Sequence, residues 1–186
     1  MSFFYDPNLF DELVKLKGRF HYDIFIETGT EKGDSVRKVL DLFESIHTCE
    51  IDEKYFTYHI DLENYEKVKL HKGNSPELLD EIFKFLKHDK FILYLDAHWR
   101  LEWPLLDELK IIKKYNYKPV IIIHDFETGI QGHIGDKYDI DGKIIRLNWD
   151  YIIQDIESIY GRENFDYHYN GQSIINRGCV FIYPKL

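Results

Sequence analysis

Two short segments carry acids and histidines in an order that suits chemistry. Asp96 and His98 follow one apolar run, and His124 and Asp125 end the next apolar run along the chain. Carboxylate oxygens and an imidazole at one place could hold Mg²⁺ or another divalent cation, with Asp96, His124 and Asp125 as candidate ligands. An ordinary histidine titrates near neutral pH, so His98, beside Asp96, could also act as a general base.

A glycine-bearing loop follows the first apolar run and reads Glu27-Thr-Gly-Thr-Glu-Lys-Gly-Asp-Ser35. Gly29 can adopt a positive φ and lets a ligand lie close to the backbone. A helix that begins near Gly33 would offer free amide N–H groups to an anion, and Glu27 adds a carboxylate. A zwitterionic ligand suits this mixture, whereas Glu27 would repel a pyrophosphate. The residues predicted to bind a cofactor here are Glu27, Thr28, Gly29, Thr30, Gly33 and Ser35.

Two further turns follow the second and third apolar runs. Glu50, followed by Ile51, could accept hydrogen bonds from both hydroxyls of a ribose, and Asn74, followed by Ser75, could bond an adenine edge. Taken alone, Glu50 could equally be a solvated turn acid. Its place at the end of a strand candidate, like Glu27, Asn74 and Asp96, favours a ligand site, because ligands bind at the carboxyl ends of parallel strands.

The segment Phe25–Ser35 resembles the first motif of class I S-adenosylmethionine-dependent methyltransferases, and Glu50-Ile-Asp, Lys72-Gly-Asn-Ser75 and Leu95-Asp-Ala97 resemble the next three. The resemblance implies that the Gly29 loop holds the methionine part of S-adenosylmethionine, Glu50 the ribose and Asn74 the adenine. Many members carry a further glycine where this chain has Glu31. Because a side chain is tolerable at this position only if the backbone keeps a negative φ, we expect a negative φ at Glu31.

The second half of the pattern resembles the metal-dependent O-methyltransferases of the macrocin and novobiocin types. In that resemblance Asp96 matches an acid that ends strand four, His98 falls at the catalytic position, and Asp125 matches an acid of strand five. His124 stands where a further acid is usual. The implied activity is methyl transfer to a hydroxyl of a small molecule or saccharide. Two alternatives stay open: a non-catalytic S-adenosylmethionine- or nucleoside-binding module, and a metal-dependent hydrolase on a similar fold.

The elements that would position these residues alternate between helix and strand. This alternation, with strands apolar throughout, predicts one α/β domain over 1–186: a Rossmann-like three-layer sandwich with a mostly parallel seven-stranded sheet and a C-terminal antiparallel hairpin. Helices are predicted at about 7–16 (within an N-terminal segment 1–20), 33–44, 53–63, 76–87, 104–115 and 149–160. Strands are predicted at about 22–27, 46–50, 68–71, 91–95, 119–123, 165–169 and 178–183.

The segment 127–148 is predicted as a long glycine-bearing loop that could close over the substrate, with Trp99 and Trp103 beside it. An ordinary surface excursion is the alternative. Arg177 precedes the last strand, and it could pair with an acidic substrate group or lie in a solvated turn. In each case the sequence leaves both interpretations open.

The charge balance excludes a generic basic nucleic-acid binder, because Lys and Arg total 24 against 33 Asp and Glu, a net charge of −9. No apolar run reaches the length of a membrane span, and the first residues lack the pattern of a signal peptide. Cys49 and Cys179 lie in apolar runs and are expected to be buried free thiols. We therefore expect a cytoplasmic protein whose partner is a small-molecule or saccharide acceptor; a homodimer stays open.

Overall fold

The computed structural model describes residues 6–86, 88–98, 103–171 and 173–186. Within these ranges the chain alternates between helices and strands, as predicted. The helices are α1 (Pro7–Phe20), α2 (Asp34–Val39), α3 (Glu53–Tyr58), a 3₁₀ helix (Ile60–Asn64), α4 (Ser75–Phe85), α5 (Leu105–Lys114) and α6 (Trp149–Tyr160). The strands are β1 (Ile24–Thr28), β2 (Ser45–Glu50), β3 (Val68–Lys72), β4 (Phe91–Leu95), β5 (Val120–His124), β6 (Lys137–Ile140), β7 (Lys143–Arg146), β8 (Phe165–Tyr169) and β9 (Cys179–Pro184).

Seven strands form one sheet in the order β3-β2-β1-β4-β5-β9-β8. The first five are parallel, β9 is antiparallel to β5, and β8 pairs antiparallel with β9. The predicted mostly parallel sheet with a C-terminal antiparallel hairpin is confirmed. The strand order reverses between β1 and β4, which is where ligands bind in open α/β sheets.

Helices cover both faces of the sheet and make three layers. The first core cluster joins one sheet face to α4, α5 and α6, and the second joins the other face to α1, α2 and the 3₁₀ helix. The helix α1 begins because the Asp6 carboxylate accepts a hydrogen bond from the Asn8 amide at 3.0 Å and Pro7 occupies the first turn. Its apolar face then buries Leu9 and Leu13 completely.

Three predicted elements differ in the structure. The helix predicted at 33–44 ends earlier, at Val39. The helix predicted at 53–63 divides at His59, and the following 3₁₀ helix brings Leu62 into the core with no exposed surface. The loop predicted at 127–148 contains a two-stranded hairpin formed by β6 and β7. Its turn residues Asp141 and Gly142 have φ of 51° and 80°, the left-handed values that a two-residue hairpin turn requires.

Both cysteines are free and buried, as expected. No helix in the described ranges combines the length and apolar character needed to cross a membrane.

Candidate functional site

The carboxyl ends of the central strands meet at one edge of the sheet. Thr28 at the end of β1 lies opposite Cys49 of β2 on one side and Leu95 of β4 on the other. The Asp96 amide continues this pairing and donates to the Thr28 carbonyl at 3.2 Å. This register brings the loop after β1 beside the turns that carry Glu50 and Asp96.

The loop after β1 is held against the ends of both neighbouring strands. The amides of Gly29 and Thr30 donate to the Cys49 carbonyl at 3.0 and 3.1 Å. Gly29 has a φ of 88°, and a Cβ there would lie 2.9 Å from the Asp96 carbonyl oxygen. Only glycine therefore fits at the point where β1 gives way to the loop.

The Glu27 side chain lies beneath this loop with no exposed surface. Its carboxyl group accepts hydrogen bonds from the Ser35 hydroxyl and, at 2.7 Å, from the Thr48 hydroxyl. Burial raises the pKa of Glu27 to about 8 against the opposing effect of these two bonds. Thr28 and Thr30 are buried as well, and the Thr30 and Thr48 hydroxyls are 2.6 Å apart. Four predicted cofactor residues (Glu27, Thr28, Thr30 and Ser35) thus form the floor of the loop in this structure.

Glu50 connects the loop to the turn that follows β2. One carboxylate oxygen accepts the Glu31 amide at 2.8 Å, and the other accepts the Asp52 amide at 2.8 Å. The side chain is nearly buried, with 7% of Glu50 exposed. The expectation of a negative φ at Glu31 is wrong, because this residue has a φ of 42°. The hydrogen bond from its amide to Glu50 holds the left-handed backbone in place.

Asn74 and Ser75 lie at the start of α4, at the same carboxyl-end edge of the sheet, and their side chains make different contacts. Asn74 makes no capping bond, whereas the buried Ser75 hydroxyl donates to Glu108 of α5 at 2.5 Å. Burial raises the pKa of Glu108 to about 7, against the opposing effect of the hydrogen bond from Ser75. Our sequence interpretation missed Glu108. The available signal was an acid in the apolar face that Leu105, Leu109 and Ile112 define.

Asp96 and His124 lie side by side at the ends of β4 and β5. The His124 Nδ1 atom is 2.8 Å from the Asp96 Oδ1 atom, and the Tyr94 hydroxyl donates to Asp96 Oδ2 at 2.9 Å. Burial would raise the pKa of Asp96, but the charges and hydrogen bonds of His124, His98 and Tyr94 outweigh it, so the pKa lies below its usual value. Asp96 is therefore an ionised acceptor at neutral pH.

His98, a predicted site residue, lies among three carboxylates, of which that of Asp136 was not predicted. Its Nε2 atom is 3.7 Å from Asp96 Oδ1 and 3.9 Å from Asp125 Oδ2, and its Nδ1 atom is 3.2 Å from Asp136 Oδ2. The hydrogen bond with Asp136 raises the pKa of His98 to about 9, assisted by the charges of Asp96 and Asp125 and opposed by burial. In this arrangement His98 holds a proton at neutral pH.

Arg177 and Asp136 complete the cluster from distant parts of the chain. The Arg177 Nη1 atom lies 3.2 Å from Asp125 Oδ1 and 3.1 Å from Asp136 Oδ1. The Asp136 amide also donates to the Asp125 carbonyl at 2.7 Å. Arg177 therefore does not lie in a solvated turn; it pairs with acids of its own chain. From the sequence, Asp136 was placed only within the predicted loop 127–148, because nothing local marks its partners.

The cluster offers two groups of potential cation ligands, namely Asp96 with His124 and Asp125, and Asp125 with His98 and Asp136. Within each group the ligand atoms lie within 4.8 Å of one another. The three residues predicted as ligands are thus brought together, and their mixed nitrogen and oxygen donors fit a divalent cation.

A small cleft opens beside this cluster. It is lined by Asp96, Ala97, His98, Glu108 and His124 together with apolar side chains and Trp103. Trp103 is 8% exposed and its indole Nε1 has no hydrogen-bond partner among the described residues. Tyr138 of the β6–β7 hairpin packs on its ring, with centroids 4.2 Å apart. Trp99, also predicted here, lies outside the described residues.

Neither a protein-family model nor a curated protein sequence matches this chain. Solved structures do resemble it. An O-methyltransferase from Bacillus cereus in complex with S-adenosylhomocysteine (SAH) superposes with a TM-score of 0.62 at 16% identity, over 94% of this chain and 79% of that one. The methyltransferase domain of bacterial CtHen1 superposes with a TM-score of 0.65 at 9% identity, over 96% and 98%.

A third similar structure is the O-methyltransferase TomG from Streptomyces achromogenes in complex with S-adenosylmethionine, which is involved in tomaymycin synthesis. It superposes with a TM-score of 0.60 at 13% identity, covering 94% of this chain and 78% of that one. Similarity at this level of identity establishes architecture. The chain therefore has the Rossmann-like fold of the class I S-adenosylmethionine-dependent O-methyltransferases.

Proposed function

We propose that this protein transfers a methyl group from S-adenosylmethionine to a hydroxyl of a small molecule or saccharide. The observation that carries the proposal is Glu50, a nearly buried carboxylate at the end of β2 that is tied to the glycine loop through Glu31. Each of its oxygens accepts one hydrogen bond from a backbone amide and retains a second lone pair. A vicinal diol such as a ribose would match those two acceptors.

The residues around Glu50 fit the remaining parts of the cofactor. Ile51 is 39% exposed beside Glu50, which leaves an apolar surface for a flat ring, and one strand away the Asn74 side chain makes no capping hydrogen bond with α4. The loop that contains Gly29 and Gly33 would face the methionine part. When bound, S-adenosylmethionine supplies a methyl group on a positively charged sulfur.

The acceptor would lie in the cleft over β4 and β5. There Asp96 and His98 are the proposed catalytic residues, because they combine an ionised acceptor and an imidazole beside the predicted position of the methyl group. The Trp103 indole N–H could bond a substrate oxygen in the same cleft. Methyl transfer is an in-line displacement, so the main task of these groups is to align the hydroxyl, and the ionised Asp96 carboxylate is the group that takes its proton.

The alternatives make different demands on the same edge. A non-catalytic nucleoside-binding module would need Glu50 but has no use for the charged groups around Asp96 and His98. A metal-dependent hydrolase would need those groups but not Glu50. We favour a methyltransferase because both halves are present, and we propose a cytoplasmic location, which the two buried free thiols support.

The proposal is tested by calorimetric titration of SAH into the wild-type protein and into Glu50→Gln. The wild type should bind with micromolar affinity, and the variant should bind at least about tenfold more weakly, since a charged hydrogen bond contributes roughly 1.5–3 kcal/mol. Glu53→Gln is the matched control, because Glu53 is an exposed acid three residues further on.

Equal affinity of Glu50→Gln and the wild type would remove Glu50 from the cofactor site. Absence of binding by the wild type up to millimolar SAH would overturn the proposed function. A thermal melt of each variant separates lost binding from lost fold.

A further inference from the structure

Glu108 of α5 is a buried acid for which the proposed reaction has no role so far. We infer that Glu108 is a specificity-determining residue of the proposed cofactor site, where it supplies the negative charge that balances the positively charged sulfur of S-adenosylmethionine (SAM). In this role it distinguishes SAM from SAH, whose sulfur is neutral. The inference deepens the proposed function and rests on it, because it concerns the same cofactor.

Glu108 lies where packing alone would favour an apolar side chain. It belongs to the buried face of α5 together with Leu105, Leu109 and Ile112, and it is 1% exposed. A carboxyl group in such a position costs free energy, because burial disfavours its charged form. The packing of α5 therefore gives no reason for an acid at this position.

Glu108 contacts both parts of the proposed site. Its carboxyl group accepts a hydrogen bond from the Ser75 hydroxyl at 2.5 Å, and Ser75 directly follows Asn74 in the turn proposed to face the adenine. Glu108 also lines the cleft proposed for the acceptor, together with Asp96 and Trp103. In methyl transfer the sulfur must lie between the adenosine and the acceptor, so Glu108 is well placed to act on its charge.

The partners of the two acids that line the cleft differ. Asp96 Oδ1 already faces two histidines, with His124 Nδ1 at 2.8 Å and His98 Nε2 at 3.7 Å. Glu108 forms no ion pair with a basic side chain in the described ranges, and its bond with Ser75 is to a neutral hydroxyl. A positive charge that enters the cleft is therefore balanced by Glu108 and not by Asp96.

The protonation of Glu108 makes this balance depend on the ligand. Burial raises its pKa to about 7, with the charges of Asp107 and Asp96 assisting and the bond from Ser75 opposing. Cys49 of β2 is a further titratable group that interacts with it. A nearby positive charge favours the ionised form of an acid. Binding of SAM should therefore release a proton from Glu108, and binding of SAH should release much less.

The test compares the affinities of SAM and SAH for the full chain by calorimetry at pH 7, in the wild type and in Glu108→Gln. Glutamine keeps the size of the side chain and an oxygen that can accept the Ser75 bond, but it carries no charge. The affinity for SAM relative to SAH should fall at least about tenfold in the variant, because opposite charges are weakly screened in a protein interior. A merely structural role of Glu108 would weaken both ligands alike.

Asp107→Asn is the matched control. Asp107 is the neighbouring acid of α5, and its side chain is 67% exposed. This substitution removes the same charge one residue away, on the solvent side of the helix, and should leave the ratio of the two affinities as it is in the wild type.

A second measurement needs only the wild type, and it keeps the inference testable if Glu108→Gln misfolds. Titration with SAM at pH 6.5 in two buffers of different ionisation enthalpy should show release of about half a proton or more, since an acid with a pKa of about 7 is roughly three-quarters neutral there. SAH should release clearly less. Glu108→Gln should abolish the difference between the ligands, whereas Glu27→Gln should retain it.

Three results would overturn the inference. They are equal proton release with SAM and SAH in the wild type, a proton release on SAM binding that persists in Glu108→Gln, and an unchanged ratio of the two affinities in that variant. Absence of binding of both ligands by the wild type would overturn the proposed function, and the inference with it, so the two failures are distinguishable.

Discussion

The ligand edge, where the carboxyl ends of the parallel strands meet, has two halves. The acidic side chains of the two halves are stabilised by different kinds of partner. In the half over β1–β3, Glu27 is bonded by two hydroxyls and Glu50 by two backbone amides. In the half over β4 and β5, Asp96 faces a histidine and Asp125 faces an arginine. Neutral donors fix the shape of the first half, whereas opposite charges hold the second half together. The first half therefore suits a rigid binding site and the second a site where protons or cations move.

The largest predicted effect concerns the buried acid of the first half. Because the pKa of Glu27 is raised to about 8 from 4.5, the folded chain keeps a proton that the unfolded chain releases between these values. The free energy of unfolding should therefore fall as pH rises from 4.5 to 8, by at most about 1.4 kcal/mol per pH unit from this group. Glu27→Gln stays neutral and should lose this slope.

Urea unfolding of both proteins at pH 5 and pH 8 measures that difference. Glu63→Gln, at an exposed acid, is the control and should leave the slope as it is in the wild type. An unchanged slope in Glu27→Gln would mean that Glu27 is not held in its neutral form.

A substitution in the second half should lower the rate of methyl transfer and leave the affinity for the cofactor nearly unchanged. Asp96→Asn removes the charge that faces His124 and His98, so methyl transfer should fall at least about a hundredfold, within the usual range for loss of a proton-transfer group. SAH affinity, measured by calorimetry, should change by less than about threefold. Asp150→Asn, at an exposed residue of α6, should change neither quantity. Full activity of Asp96→Asn would remove Asp96 from the chemistry.

Two glycines offer a paired test of how rigid the first half is. Gly29→Ala places a methyl group at 2.9 Å from a carbonyl oxygen in a backbone with φ of 88°, and should destabilise the fold by roughly 1–3 kcal/mol while weakening SAH binding. Gly18→Ala, inside α1, meets nothing within 4 Å and should stabilise the fold by roughly 0.5–1 kcal/mol. Chemical denaturation measures both values. The two substitutions should change the free energy of unfolding in opposite directions. A Gly29→Ala variant as stable as the wild type would show that the loop can adapt to a side chain.

The smallest effect concerns the hairpin that borders the second half. Tyr138→Ala removes the ring that packs on Trp103, an aromatic pair of roughly 0.5–1.5 kcal/mol. Hydrogen exchange of the backbone amides of 137–146 should become several-fold faster, with SAH affinity unchanged. Exchange at the wild-type rate would show that this contact does not anchor the hairpin.

Local patterns predicted the secondary structure more completely than the contacts at the ligand edge. The spans of β4, α6 and β8 agree with the sequence prediction, because continuous apolar runs and helical spacing set them locally. The ligand edge also follows from strand ends. The β6–β7 hairpin was missed although Asp141-Gly142 is a typical hairpin turn between two short runs.

Long-range pairing accounts for the rest. Arg177 reaches Asp125 and Asp136 only because β9 lies beside β5 with the opposite direction, and no local pattern near these residues reveals that neighbourhood. The backbone of Glu31 likewise depends on Glu50, which lies on the next strand. Sequence spacing identified the acids and histidines, whereas their partners depended on the topology.

The central claim is that the half over β1–β3 binds the cofactor and the half over β4 and β5 carries out the chemistry. A crystal structure of the protein with SAH tests this claim most directly. We expect the ribose hydroxyls on the Glu50 carboxylate, the adenine near Ile51 and Asn74, and the sulfur directed towards Asp96 and His98. A nucleoside bound over β4 and β5, or one whose hydroxyls make no contact with Glu50, would contradict it.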